Sequence, residues 1–199
     1  MKQSLLVICL AISLFHCSPK APKESESLPP KGKVIANFEL LNQDGEEVTL
    51  TTFRGDVWIV SFIFTTCPSI CPEVTKAVAK LQTELDQKKL RAKLVTLTVD
   101  PEFDTPKVLR SYGQKNGANF ERWSFLTAKS VEAMRAVVEG NFKTAMGDKK
   151  TLSAGMYDIA HTTKLVLVDQ KGHHRGYYSS DSAGTHHLIK AVQALNNQD

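Results

Sequence analysis

Val57-Trp58-Ile59-Val60-Ser61-Phe62-Ile63-Phe64 runs directly into Thr65-Thr66-Cys67-Pro68-Ser69-Ile70-Cys71-Pro72. The first eight residues are a nearly unbroken run of strand formers, the pattern of an interior strand covered on both faces. After the second eight, Val74, Ala77, Val78, Leu81 and Leu85 recur at helical spacing. Pro72 has no amide proton and disfavours helical geometry in the residue before it, so the helix is predicted to open with Pro72 at its first position. Two cysteines thus stand on the turn from a buried strand into an amphipathic helix, where free amides and the helix dipole favour thiolate.

Working outward, Lys93-Leu94-Val95-Thr96-Leu97-Thr98-Val99 is a second β-branched strand, so strand, helix and strand form a parallel unit. It ends in Asp100-Pro101-Glu102-Phe103-Asp104-Thr105-Pro106. Asp104 or Thr105 can cap a helix with Pro106 at its first position, carrying Val108, Leu109 and Tyr112 inward until Gly117. Asp100 falls at the carboxyl end of its strand, the edge where open α/β sheets place their sites, although a solvated loop carboxylate is the plainer reading. Residues 120–126 are predicted as a short strand, and Ser130 as the cap of a helix with Val131, Met134, Val137 and Val138 inward. Residues 141–158 show no period and are expected to form a long excursion near the site. Two runs, Lys164-Leu165-Val166-Leu167-Val168-Asp169 and residues 173–178, flank Gln170-Lys171-Gly172 as a hairpin, and residues 184–196 make a closing helix. On the amino side a first hairpin turns at Asn42-Gln43-Asp44-Gly45. This order is that of an α/β domain with a thioredoxin-like fold and an added N-terminal β-hairpin.

The chain has 199 residues, no internal repeat and a formal charge of +4 spread along its length. Without a basic run interleaved with aromatics, nucleic acid is not an expected partner. Met1-Lys2-Gln3-Ser4 and the apolar residues 5–15 match the charged and hydrophobic regions of a signal peptide and are too short to span a bilayer. The run closes in Leu14-Phe15-His16-Cys17, which is similar to a bacterial lipoprotein cleavage box, although Phe15 and His16 are larger than the usual residues there. The expectation is a signal peptide over residues 1–16, a lipid-anchored flexible tether over residues 17–33 with Cys17 as the lipidated residue, and one folded domain over residues 34–199. That domain would lie outside the cytoplasm, facing the periplasm. With Cys9 in the leader and Cys17 lipidated, Cys67 and Cys71 are the two thiols left to the domain.

Two thiols one helical turn apart can oxidise to a disulfide or grip one soft ion together, and spacing alone does not choose. A purely structural bridge is disfavoured, because so small a loop removes little unfolded-state entropy. Thiol-exchange enzymes of this fold face their cysteines with a cis-proline just before the penultimate hairpin. Here no proline follows Pro106, and Asp158-Ile159-Ala160-His161-Thr162-Thr163 stands at about that place. Two thiolates and an imidazole suit Cu(I), whereas a structural zinc site normally takes a fourth protein ligand.

The cysteine motif, the Val99-Asp100-Pro101-Glu102-Phe103-Asp104-Thr105-Pro106 segment and the histidine before the hairpin together resemble the SCO/SenC family of copper-assembly proteins, over residues 34–196. The resemblance implies a membrane-tethered thioredoxin-like protein that binds copper through Cys67, Cys71 and His161, as Cu(I), and leaves open whether Cu(II) is bound too. It implies delivery to the binuclear copper centre of cytochrome c oxidase, with that subunit or another periplasmic copper protein as partner. Many members carry an acid directly before the histidine; this chain has Ala160 there and its acid at Asp158. Asp158 and Asp100 are therefore candidates to support the ligands from behind.

The mechanism expected is metal transfer with no substrate turned over. Loading deprotonates the thiols and should weaken in acid, and a Cys67–Cys71 disulfide would abolish the site. The same pair allows a thiol-disulfide reductase that keeps a partner's copper-site cysteines reduced, and, less well supported, a thiol peroxidase. His173, His174, His186 and His187, with Met146 and Met156, are weaker candidates for extra copper donors, and surface or packing roles suit them better.

Overall fold

The computed structural model describes residues 30–152 and 155–197, so the leader, Cys17 and the tether up to residue 29 lie outside the described residues. The amino-terminal hairpin is β1 (Glu39–Leu41) paired antiparallel with β2 (Glu47–Thr49). Its turn is set by Gly45 at φ +79° and by the Asn42 side-chain oxygen, which accepts the amides of Asp44 and Glu46, each at 2.9 Å. A short 3-10 turn, Leu50–Phe53, leads into β3 (Trp58–Ile63), every residue of which is buried.

From β3 the chain passes through α1 (Cys71–Gln87) into β4 (Lys93–Thr98), then through α2 (Pro106–Lys115) into β5 (Trp123–Leu126). The two crossovers make β3, β4 and β5 parallel neighbours. Next come α3 (Val131–Phe142), a small antiparallel hairpin of β6 (Lys149–Thr151) and β7 (Tyr157–Ile159), the antiparallel pair β8 (Leu165–Val168) and β9 (His174–Tyr178), and α4 (Ser182–Asn196). The main sheet has the order β5-β4-β3-β8-β9. This is the thioredoxin-like α/β arrangement with its N-terminal hairpin.

Side-chain alternation along β3 divides the core. Phe142 of α3 meets Trp58 and Phe62 edge-on, and Phe38 and Phe53 close over Trp58, so α3 and the amino-terminal segment cover one face. The helices α1, α2 and α4 share the other, where Thr75 of α1 hydrogen-bonds Tyr112 of α2 at 2.7 Å and α1 packs on α4. On that face the polar side chains are paired: the Trp123 indole donates to Thr96 Oγ1 at 2.8 Å, and Thr96 shares a 2.8 Å hydrogen bond with Ser61.

Two boundaries depart from the sequence expectation, and one that the sequence left open is decided. The helix after the thiol turn begins at Cys71, one residue before Pro72. Of the two caps the sequence allowed for α2, Thr105 is the one used, accepting the Val108 amide, while Asp104 is turned inward to take the hydroxyl and amide of Thr65 and the hydroxyl of Thr98. Residues 141–158 are no irregular excursion: α3 runs on to Phe142, and β6 pairs with β7.

The register of β8 against β3 places the site. Antiparallel pairing sets Val60 opposite Val166, so the chain that enters β8 arrives beside the end where β3 leaves the sheet. His161, four residues before Leu165, thereby meets the thiol turn that begins four residues after Ile63.

Candidate metal centre

Cys67 and Cys71 are both free thiols, 7 % and 1 % exposed. The Cys67 amide donates to the Phe64 carbonyl at 3.2 Å, which tightens the turn and aims the first thiol toward the start of α1, with Ser69 Oγ 3.6 Å from its sulfur. Burial works against a Cys67 thiolate, yet the backbone amides of Cys71 and Ser69, with the side chains of the same residues, outweigh it and hold this thiol below its ordinary value. For Cys71 burial wins and pushes the thiol far up; the Phe64 backbone offsets part of the rise, while Cys67 and the Asp104 carboxylate add to it. The helix end therefore favours thiolate at Cys67 alone, where the sequence suggested both.

Cys71 Sγ lies 3.4 Å from Nε2 of His161, ninety residues further on. Nδ1 of the same ring is 2.8 Å from the Thr162 carbonyl, a contact that fixes the proton on Nδ1 and leaves the Nε2 lone pair facing the sulfur. Burial lowers the imidazole below its ordinary value, opposed by the Thr162 carbonyl and the charge of Asp158. The ring is thus neutral at pH 7, the form a metal ligand requires. Phe64 meets it edge-on at 6.0 Å.

The other candidates fall elsewhere. Asp158 is exposed and reaches His161 only through its charge, because Thr162 supplies the oxygen behind the ring. Asp100 is buried at the carboxyl end of β4, where it accepts the Tyr157 hydroxyl at 2.5 Å and forms an ion pair with Lys149 at 2.9 Å, with no ligand candidate between them. Met146 is a core residue and Met156 is exposed. His173 pairs with Asp169 at 3.3 Å, His174 rests 4.5 Å from the Tyr177 ring, and the His186 and His187 rings stand 6.1 Å apart. Sequence reasoning missed Tyr157 of β7, which borders the thiol turn through Thr66, and Lys149 of β6, which lies over the Tyr157 ring.

Among the described residues no three His, Cys, Asp or Glu side chains already form a closed metal cage. What the fold brings together is two pairs, Cys71 with His161 and Cys67 with Cys71. Two polarisable sulfurs and a neutral imidazole fit a soft, low-coordinate ion such as Cu(I), and the same sulfurs fit reversible disulfide formation. One ion held by all three needs a further closing movement of the Cys67 side chain or of the ring.

A family model described as SCO1/SenC matches residues 26–197. The SCO1 protein homolog of Bacillus subtilis is 31% identical over 143 residues, 72% of this chain and 72% of that protein. The crystal structure of a SCO1/SenC family lipoprotein from Bacillus anthracis superposes with a TM-score of 0.76 at 31% identity, covering 84% of this chain and 96% of that one. BsSco, a member of the Sco family of cytochrome c oxidase assembly proteins in which a disulfide switch is identified, gives a TM-score of 0.74 at 27% identity, covering 86% and 97%.

Proposed function

The chain belongs to the SCO1/SenC family, and from that premise and the thiol–imidazole geometry we propose that it is a copper metallochaperone. In this reading Cys67, Cys71 and His161 hold Cu(I), and the cargo is passed to the binuclear copper centre of cytochrome c oxidase or to another copper protein outside the cytoplasm. The observation that carries the reading is the 3.4 Å approach of a neutral imidazole nitrogen to a buried thiol whose neighbour loses its proton readily. The assembly role of the relative BsSco supports the choice of recipient. Lipidation at Cys17 and export by the leader complete the proposal, supported by the cleavage-box pattern and by the lipoprotein nature of the Bacillus anthracis relative.

Each residue then has a task. Cys67, the more thiolate-rich sulfur, captures the incoming ion. Cys71 releases its thiol proton to solvent as the ion binds, His161 Nε2 turns from hydrogen-bond acceptor to donor ligand, and Thr162 keeps the ring in the required tautomer. Burial of Cys71 excludes water from the bound ion. Titrating the reduced full-length protein with Cu(I) against a chromophoric chelator tests this. One equivalent should be retained, Cys67→Ser and Cys71→Ser should each abolish uptake, and His161→Ala should weaken it at least about tenfold. Reduced protein that takes up no stoichiometric copper would overturn the reading.

The asymmetry of the thiols favours one alternative. A low thiol backed by a buried, protonated one is the arrangement of an attacking and a resolving cysteine. In that case the protein reduces a partner's copper-site disulfide, and reduction survives in His161→Ala.

A further inference from the structure

The β6–β7 hairpin that delivers His161 has little apolar material of its own. All three β6 residues are exposed, Ile159 is the one buried side chain of β7, and a pair of three-residue strands is marginal without an anchor. A polar cluster on the thiol side supplies that anchor. The Tyr157 hydroxyl donates to Asp100 Oδ2 at 2.5 Å and accepts from Thr66 Oγ1 at 2.7 Å. Its ring stacks on Phe64 at 5.8 Å and 21°, and Lys149 Nζ lies 4.4 Å from the ring centroid while pairing with Asp100 Oδ1 at 2.9 Å. Thr66 directly precedes Cys67, and Phe64 also touches the imidazole, so one phenol is linked to both halves of the candidate metal centre, to the thiol turn through Thr66 and to the ring through Phe64.

We propose that Tyr157 is a positioning residue: clasped between Asp100 and Thr66, its hydroxyl docks the β6–β7 hairpin and so holds His161 against Cys71. This rests on the copper reading for its consequence but not for its geometry. The strand from Tyr157 to Ile159 continues through Ala160 to His161, and the Gly147 amide donates to the Ala160 carbonyl at 2.7 Å, so hairpin and ligand move as a unit. Removing the hydroxyl frees the hairpin end while the ring stack on Phe64 keeps the fold.

The test uses the reduced full-length protein and its Tyr157→Phe and Thr66→Val variants. Hydrogen exchange at the Gly147 amide should quicken about tenfold in Tyr157→Phe and by a smaller factor in Thr66→Val, with the β3 amides unchanged. Cu(I) affinity should fall about tenfold in Tyr157→Phe, and that loss should vanish when the substitution is made in His161→Ala. Unchanged exchange at Gly147 overturns the proposal, as does an equal loss of affinity with and without the imidazole. Should the parent protein take up no Cu(I), the copper reading fails by itself, and exchange together with the His161 ring resonances still decides whether Tyr157 sets the ring.

Discussion

Cys67 and Cys71 sit one helical turn apart at the same helix end, yet the backbone amides there lower only the Cys67 thiol, while burial raises its partner. The two sulfurs should therefore react at different rates. At pH 7 iodoacetamide should label Cys67 at least about tenfold faster than Cys71, since the thiolate is the nucleophile. Peptide mass spectrometry at partial labelling reads the ratio, and equal rates would contradict the assigned asymmetry.

Trp123, Thr96 and Ser61 form a chain of buried hydrogen bonds beneath α1 and α2. Thr96→Val keeps the shape but leaves an indole N–H and a hydroxyl without a partner, which should cost about 2 kcal/mol. Thr96→Ser keeps the hydroxyl and loses one methyl, about 0.8 kcal/mol. Urea denaturation of the reduced protein separates the two, and an equal loss would show that the hydroxyl is idle.

Asp169 closes the β8–β9 turn by accepting the amides of Lys171 and His173 and by pairing with buried Arg175 at 3.1 Å. Burial opposes the carboxylate, but the His173 and Lys171 amides and the His173 ring hold Asp169 below its ordinary value. A depressed acid adds stability that is whole above the unfolded carboxylate value, near 3.9, and is lost as pH falls through the lower folded one. Asp169→Asn should cost about 3 kcal/mol at pH 7, chiefly by stranding Arg175, and should flatten the fall in stability below about pH 4. Denaturant midpoints measured from pH 7 to pH 3 test both parts.

Gly113 of α2 lies against Phe120 and Phe125, where an added Cβ would come within 2.7 Å and 2.9 Å of the rings. Alanine gains about 1 kcal/mol of helix propensity, and overpacking costs about 1–3 kcal/mol. The clash should win, so Gly113→Ala is expected to destabilise by about 1 kcal/mol in the same denaturation experiment.

The thiol turn was legible because its signals are local: an apolar run, a proline and a helical period all within thirty residues. His161 was legible through what is missing, a proline ahead of the penultimate hairpin. The β6–β7 hairpin was not, since Lys149, Lys150 and Thr151 are all exposed and alternate with nothing. Its anchor joins Tyr157 to Asp100, fifty-seven residues away, and no local pattern announces such a pairing. Asp158 acts on the histidine through its charge alone, and the hydrogen bond behind the ring comes from a backbone carbonyl one residue on, which no side-chain pattern announces. The choice between Asp104 and Thr105 as the cap stayed open in the sequence because the hydroxyls of Thr65 and Thr98 that turn Asp104 inward come from other strand ends.

Val34 bridges to His173 beside the β8–β9 turn, at the end of the sheet where β3 begins, whereas the sulfurs lie past the end where β3 finishes. Six residues of strand, about 20 Å, separate the two poles. A domain leashed to a bilayer through its amino terminus would consequently carry its cargo on the outward pole, and a recipient would have to approach from the aqueous side, with the leash setting how far across the surface the handover can range.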